Sequence, residues 1–408
     1  MLSFLFLFFN PRAQQMGKEQ FKEDFDYVWN TIKTDYCYWD KKKTDWDKVK
    51  LIYSKELDTV TTRKSFVLLL EKMFNEFYDH HASLNTNTNE SQRLVPSGAD
   101  LWAEYIDNKP VITEVRKNFE ADKVGMKAGM EVISVNDVAV QDAIKAYLPK
   151  SFTSYDQESK NFALRVLLAG THSKKRKITV LYKGKQLDFY PDETKTIDSY
   201  NYDSMVESKV LSNHIGYIRI NNCLGDNELI GRFDSVLNQL MNTKALILDL
   251  RETPSGGNTS VARAIIGRFI QKEGFYQKHE LTAEETATGV KRSWEEIVSP
   301  RKNPYTKPLI LLVDHWTGSV SEGITIGFDA VKKVTIIGTK MAALNGAVYS
   351  YQMPNNKIGF SFPVEKLFHV NGTPRESFIP KILVDVSKQK TNEDLILQTA
   401  LNYIRTMK

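Results

Sequence analysis

The sequence has 408 residues, of which 41% are hydrophobic, so it is long enough to form roughly two or three packed units rather than a single core. Its 55 basic and 50 acidic residues are spread along the chain and leave a formal net charge of +5, which argues against the strong positive field of a nucleic-acid-binding protein. The two cysteines, Cys37 and Cys223, are too few for a disulfide framework or a cysteine-rich metal site, and leave only a single bridge open.

An apolar run from Leu2 to Phe9 opens the chain, and residues 11–15 then supply a polar exit. The run is too short to span a bilayer, but it has the length of the hydrophobic region of a secretory signal. The positively charged segment that usually precedes such a region is missing, so a disordered or docked N-terminus is the alternative. We expect residues 1–15 to be a signal peptide and the protein to be exported, to the periplasm or the extracellular space.

Apolar residues recur at helical spacing three times in the next segment, over 21–36, 46–57 and 66–77. Thr44 with Asp47 resembles a capping box that begins the second helix. Helices this short bury their apolar faces against one another or against a neighbouring domain. The pattern therefore predicts a helical subdomain over residues 16–95.

Short strands replace the helices between residues 96 and 190, at 110–115, 131–136 and 178–182. The turn Ala-x-x-x-Gly-x-x-x-Gly that begins at Ala121 and the Val-Ile-Ser-Val-Asn-Asp that follows resemble a PDZ domain of bacterial proteases. Such a domain captures a peptide by adding it as a strand to an exposed sheet edge. A β-rich spacer without a ligand is the alternative.

Continuous apolar strands alternate with helical stretches from residue 191 to the end, at 215–220, 245–250, 308–314 and 334–338. Runs that are apolar on both faces favour an α/β unit with a largely parallel sheet. Functional sites in such sheets gather where strands end and helices begin.

Two of these strand ends carry unusual residues. The first ends in Gly256 and Gly257, whose backbone N–H groups can turn towards an oxyanion. The second places Ser319 shortly after a strand, with Glu322 three residues later. Taken singly, a Gly-Gly pair is usually only a turn, and Ser319 with Glu322 fits a capping box that begins a helix without any chemistry.

The Asp-Leu-Arg…Gly-Gly-Asn sequence at 249–258 and the Ser-Val-Ser-Glu sequence at 319–322 together resemble the C-terminal-processing and tricorn-core family of serine peptidases. The Ile-Ile-Gly-Thr sequence at 336–339 and the PDZ-like segment extend this resemblance. It implies an α/β fold: a Clp/crotonase-like peptidase core with an N-terminal helical subdomain and a PDZ-like β-rich domain. It also makes Ser319 the nucleophile.

The resemblance implies an oxyanion hole made of backbone N–H groups, from Val320 and from Gly256 or Gly257. One residue is inserted between Arg251 and Gly256 relative to the commoner form, which leaves open which glycine donates.

A serine hydroxyl needs a base to remove its proton. In the Ser–Lys branch of the family, a lysine stands immediately before a glycine late in the chain. Here Asn345 precedes Gly346, and Lys340 lies too early, so this dyad is disfavoured, although Lys340 remains an alternative.

In the tricorn-like branch the base is a histidine that follows the N-terminal helices. The Asp-His-His-Ala-Ser sequence at 79–83 resembles that setting and makes His81 the base, whereas a polar surface turn is the alternative. An unperturbed histidine would give a rate that rises with pH through roughly 6–7.

A catalytic histidine needs a partner that holds its tautomer. The family places a glutamate late in the chain, between a glycine and a proline, and the matching residue is Glu376. Glu365 and Glu322 are the alternatives, and in tricorn-like enzymes a seryl hydroxyl can intervene.

The resemblance therefore implies a serine endopeptidase that hydrolyses peptides or unfolded protein tails through an acyl-enzyme on Ser319. A catalytically silent protein that binds peptides or hydrophobic ligands on the same scaffold is the alternative. No His-Glu-x-x-His cluster and no phosphate-binding glycine loop occurs, so we expect neither metal nor cofactor. We also expect no nucleic-acid partner and no integral membrane span.

Overall fold

The computed structural model describes residues 17–193, 202, 204–390 and 393–407. The segment expected to be a signal peptide, residues 1–15, lies outside them. None of the helices in these ranges combines the length and apolarity that a membrane crossing requires. Cys37 and Cys223 are both free thiols, so the single bridge that the sequence left open is not formed.

In the described chain, the first helices precede most of the strands, further helices lie between the strands of the middle segment, and helices alternate with strands in the second half. In chain order they are α1 (Lys18–Asp35), α2 (Trp46–Leu57), α3 (Arg63–Phe74), α4 (Glu120–Lys123), α5 (Val140–Ala143), α6 (Gln157–Ala169), α7 (Glu228–Gln239), α8 (Thr259–Gly267), α9 (Thr282–Thr288), α10 (Val320–Lys332) and α11 (Leu395–Thr406).

The strands of the described ranges form three sheets. In chain order they are β1 (Ser83–Leu84), β2 (Leu101–Ile106), β3 (Lys109–Val115), β4 (Glu131–Val135), β5 (Val138–Ala139), β6 (Ile178–Tyr182), β7 (Lys185–Phe189), β8 (Val206–Leu211), β9 (Ile215–Ile220), β10 (Ala245–Asp249), β11 (Gly274–Glu280), β12 (Ser293–Val298), β13 (Leu309–Val313), β14 (Thr335–Gly338), β15 (Ala347–Gln352), β16 (Gly359–Phe368) and β17 (Ile382–Leu383).

The leading helices share their hydrophobic core with a strand from the other end of the chain. Buried side chains of α1, α2 and α3 pack against Phe360 and Phe362 of β16. Strand β1 follows the helices and pairs with the same strand, Ser83 opposite Ser361. Helix α2 is capped by Asp45, whose side chain accepts from the N–H of Lys48, so the N-cap predicted at Thr44 is one residue too early.

The middle sheet has the order β2-β3-β4-β6-β7, with β5 paired to β4, and it has a hydrophobic core of its own. The three strands predicted in this segment are β3, β4 and β6. Residues next to the strands of this sheet contact the second half of the chain. The indole N–H of Trp316 donates to the carbonyl of Ala99 at 2.8 Å, and Arg116 forms a buried ion pair with Glu252.

The third part of the fold is a six-stranded sheet of order β17-β14-β13-β10-β9-β8, parallel except for the β8–β9 pair. Strands β10 and β13 are buried on both faces, as their apolar runs predicted. Helices α7, α8 and α10 cover one face and α11 covers the other. Because β10 and β13 are parallel neighbours, the loops that follow them leave the same edge of the sheet.

Candidate active site

Ser319 lies in the turn between β13 and α10, with backbone angles φ 54° and ψ −113° that side-chain-bearing residues rarely adopt. Hydrogen bonds hold the turn: the N–H of Trp316 donates to Asp314 Oδ1 at 2.8 Å, and the N–H of Ser319 donates to Glu322 Oε2 at 2.8 Å. A serine on a strained strand-to-helix turn is typical of a nucleophile.

The structure brings Ser319 and His81 together from opposite ends of the chain. The hydroxyl oxygen of Ser319 lies 3.1 Å from His81 Nε2. His81 Nδ1 lies 2.6 Å from the backbone carbonyl oxygen of Asn345. A carbonyl only accepts, so Nδ1 carries the proton and Nε2 presents its lone pair to the Ser319 hydroxyl. This is the tautomer that a general base requires.

A buried aspartate fixes both His81 and the residue that holds it. Asp79 accepts from the backbone N–H of His81 at 2.9 Å and from the side-chain amide of Asn345 at 2.8 Å. The hydroxyl of Tyr36 on the adjoining chain segment donates to the same carboxylate at 2.7 Å. Asp79 thus links the backbone of His81 to Asn345, the residue whose carbonyl orients the His81 ring.

Glu376 lies elsewhere than the resemblance implied. Its carboxylate accepts from Lys41 Nζ at 2.7 Å and faces the hydroxyl of Tyr38 at 3.5 Å. In the part of the chain that the structure describes, no hydrogen bond joins it to His81. The alternatives are also engaged away from the ring, since Glu365 accepts from His279 Nδ1 at 2.8 Å and Glu322 accepts from the N–H of the nucleophile.

The neighbour of Glu376 points inward instead. Arg375 is 2% exposed, and its Nη2 donates to the carbonyls of Leu344 at 2.9 Å and Gly346 at 2.6 Å. These two carbonyls flank the one that holds His81. Arg375 therefore clamps the loop that fixes the imidazole, a role that sequence reasoning missed.

The environment of His81 keeps its imidazole neutral. Burial, together with the positive charge of Arg375, lowers the pKa of His81 to about 4, although the bond to the Asn345 carbonyl and the charge of Asp79 act in the opposite direction. The ring is thus ready to accept a proton throughout the neutral range. Below the nucleophile, burial raises the pKa of Glu322 to about 7, against the opposing charge of Arg375.

Of the two glycines predicted for the oxyanion hole, Gly256 lies against the nucleophile turn and Gly257 lies against the backbone of Leu224. Gly256 has φ +68°, and a Cβ atom there would come within 2.5 Å of Ser319 Cβ; one on Gly257 would come within 2.2 Å of the Leu224 carbonyl. The N–H of Gly256 makes a 3.4 Å contact with the carbonyl of Thr253. Within the described ranges, the N–H groups of Gly257 and Val320 have no acceptor, and Val320 begins α10, whose dipole favours negative charge.

Lys340, the alternative base, is exposed. It lines a cavity of about 230 Å³ together with Glu104 and Arg165. No hydrogen bond of the described chain joins it to Ser319 or His81.

Two family models match this chain. A model described as Peptidase family S41 matches residues 214–384, which contain both glycines and Ser319, and a model of the Tricorn protease C1 domain matches residues 18–75. This chain is a serine peptidase whose residues 214–384 match family S41. The resemblance stated from the motifs is confirmed, and neither match supports a catalytically silent binder.

Solved structures show the same fold along almost the whole length of this chain. Mature CPAF in complex with lactacystin is 14% identical, with a TM-score of 0.61 over 95% of this chain and 97% of that one. A peptidase from Parabacteroides merdae is 15% identical, with a TM-score of 0.58 over 94% and 96%. The photosystem II D1 C-terminal processing protease is 16% identical, with a TM-score of 0.54 over 93% and 96%. The predicted mixed α/β fold is thereby confirmed.

The lowered pKa of His81 predicts the acid limb of the pH profile. Only the neutral imidazole accepts the hydroxyl proton, so kcat/KM for an uncharged peptide should rise with pH with a midpoint near 4, not at 6–7. Initial rates measured from pH 3.5 to 8, in the range where circular dichroism shows folded protein, would test this.

The Glu322→Gln variant is the control for that profile, because Glu322 titrates near pH 7. The acid limb of the variant should keep its midpoint. A wild-type midpoint at 6–7 that persists in the variant would contradict the lowered pKa of His81.

Proposed function

We propose that this peptidase cleaves peptide bonds within peptides or unfolded protein tails through an acyl-enzyme on Ser319, with His81 as the general base. The observation that carries the proposal is the 3.1 Å contact between the Ser319 hydroxyl and His81 Nε2, with the other ring nitrogen on a carbonyl. Nucleophile, base and an orienting group in this order are the parts that acyl transfer needs.

The reaction begins when the hydroxyl oxygen of Ser319 attacks the scissile carbonyl and its proton passes to His81 Nε2. The oxyanion that forms is stabilised by the N–H groups of Val320 and Gly257, whereas the N–H of Gly256 faces the turn carbonyl. The imidazolium then gives its proton to the leaving amine nitrogen as the C–N bond breaks. A water molecule attacks the ester, His81 takes its proton, and the serine is released with that proton.

A carbonyl and a buried aspartate take the place of the carboxylate that usually faces the base. Asn345 accepts from Nδ1–H, which fixes the tautomer, and Asp79 supplies negative charge near the imidazolium through the contacts that position it. Glu376 serves the leading helical segment instead, through its ion pair with Lys41.

Labelling with a fluorophosphonate probe tests the dyad. We expect the wild-type protein to be labelled on Ser319, and labelling to be lost in Ser319→Ala. His81→Ala should lower kcat by up to about 10⁶ because the base is removed. Intact-mass spectrometry and peptide hydrolysis are the measurements.

Lys340→Ala is the matched control, since an exposed lysine away from the dyad should leave labelling and hydrolysis near the wild-type level. Loss of activity in Lys340→Ala with full activity in His81→Ala would establish a Ser–Lys dyad and overturn the assignment.

We further propose that residues 96–190 act as a PDZ-like module whose peptide-binding edge is closed in this state. Strand β2 lies at the edge of its sheet, and side chains of α6 bond to the backbone of this edge. The N–H of Tyr105 donates to Asn161 Oδ1 at 2.8 Å, and Gln157 Nε2 donates to the Tyr105 carbonyl at 2.6 Å. Arg165 Nε donates to the Ala103 carbonyl at 3.2 Å. A peptide strand needs these same backbone groups.

Opening this edge should strengthen peptide binding. In the Ser319→Ala background, the double change Gln157→Ala and Asn161→Ala should tighten binding of a fluorescent apolar-tailed peptide by about fivefold or more, because two competing hydrogen bonds are removed. Fluorescence anisotropy measures this, and Lys160→Ala on the same helix is the control. Equal affinity in all three proteins would contradict a closed edge.

A further inference from the structure

A cavity of about 620 Å³ is lined by residues that neighbour the base and the oxyanion turn in sequence. Its wall includes Asp79 and Ala82, which flank the His80–His81 pair in sequence, and Ser255, which precedes the glycine packed on Ser319. A volume of this size accommodates a large side chain. Because the wall is built from neighbours of both the base and the oxyanion turn, a side chain close to the scissile bond is what would enter it.

One carboxylate in this wall has no part in the dyad. Glu71 lies in the last turn of α3 and is half-buried. The hydroxyl of Ser91 and the backbone N–H of Gln92, neither of which carries charge, lower the pKa of its carboxyl group. Among the described lysines and arginines, none forms an ion pair with Glu71, so its charge is uncompensated.

The arginine of the described cavity wall is already engaged. Arg93 pairs with the buried Asp192 at 3.2 Å, and the side-chain amides of Asn75 and Gln92 bond to each other at 3.1 and 2.9 Å. Asp79 adds a second negative charge to the wall.

His80 and Tyr147 are uncharged at neutral pH. His80 is stacked on Phe162, and burial lowers its pKa well below the usual value, so it is neutral. His172 Nε2 faces the amide of Asn87 at 3.3 Å. Tyr147 interacts electrostatically with Glu71, and burial raises the pKa of this phenol, which therefore stays protonated and uncharged at neutral pH.

We propose that this cavity is a substrate subsite for a lysine or arginine side chain next to the scissile bond, with Glu71 as its counter-charge. The inference rests on the proposed function of the dyad, and adds to it the chemical class of the preferred substrate. A lysine or arginine side chain that enters the cavity can form an ion pair with the Glu71 carboxylate. Because the site is partly desolvated, such a pair distinguishes strongly between a basic side chain and an uncharged one.

The titration of Glu71 makes the preference dependent on pH. Burial raises the pKa of Glu71 to about 7, although the polar groups of Ser91 and Gln92 oppose the shift. The carboxylate that attracts a cation therefore forms as the pH rises through 7, while a lysine side chain stays charged. The preference for a basic residue grows from pH 6 to pH 8. His81 titrates near 4 and does not change over that interval.

The test compares pairs of peptides that differ only in lysine or norleucine at each position around the cleavage site. The peptides are acetylated and amidated, and an unacetylated set distinguishes a lysine side chain from the ammonium group of a free N-terminus. We expect wild-type kcat/KM to favour lysine at one position by roughly tenfold to 100-fold at pH 8, and by less at pH 6.

Glu71→Gln should reduce that ratio towards one and remove its pH dependence. Glu90→Gln, an exposed glutamate paired with Lys64, is the matched control and should keep the wild-type ratio. Because each protein serves as its own reference, a poorly folded fraction does not alter the ratio.

Failure of the proposed subsite can be distinguished from failure of the proposed peptidase function. Hydrolysis of both peptides of every pair at equal rates in the wild-type protein, or a lysine preference that Glu71→Gln leaves intact, would overturn the subsite and leave the peptidase function standing. A preference confined to unacetylated peptides would assign the cavity to the peptide N-terminus and overturn the side-chain proposal. No hydrolysis and no fluorophosphonate labelling would overturn both proposals.

Discussion

The hydrogen bond from His81 Nδ1 to the carbonyl oxygen of Asn345 is the interaction on which the site depends. Because a carbonyl cannot donate, this contact alone decides that Nε2 faces Ser319 without a proton. Burial beside Arg375 then keeps the ring neutral at physiological pH. The low pKa makes this imidazole a weaker base, but almost all of it is deprotonated at neutral pH and can accept a proton.

The fold brings the three segments of the site to one place by separate means. Parallel pairing of β10 with β13 puts the glycine turn and Ser319 at one sheet edge. Pairing of β1 with β16 and the core shared between the leading helices and β16 fix the segment that carries His81. Arg375 anchors the loop of Asn345 through the carbonyls on either side. The helical segment is therefore part of the catalytic apparatus.

The sequence was informative where chemistry depends on residue type. Continuous apolar runs predicted the central strands, and motif positions nominated Ser319 and His81, which the structure places in contact. The orienting group was not predictable in this way, because it is a backbone carbonyl and any residue carries one. The sequence also did not show that Arg375, rather than Glu376, points inward. The two residues are adjacent in one short 3₁₀ turn, and the rotation of that turn decides which side chain is buried.

Parallel kinetics of Asp79→Asn and Glu376→Gln test most directly whether a carbonyl held by a buried aspartate, rather than a late glutamate, orients the base. Asp79→Asn should lower kcat on the order of 100-fold with KM little changed, since wrong orientation of the imidazole costs up to about 10⁴ in a classical triad. Glu376→Gln should stay within about threefold of wild type. Thermal unfolding confirms that both variants are folded. A folded Asp79→Asn of full activity, beside a Glu376→Gln that has lost it, would contradict the account.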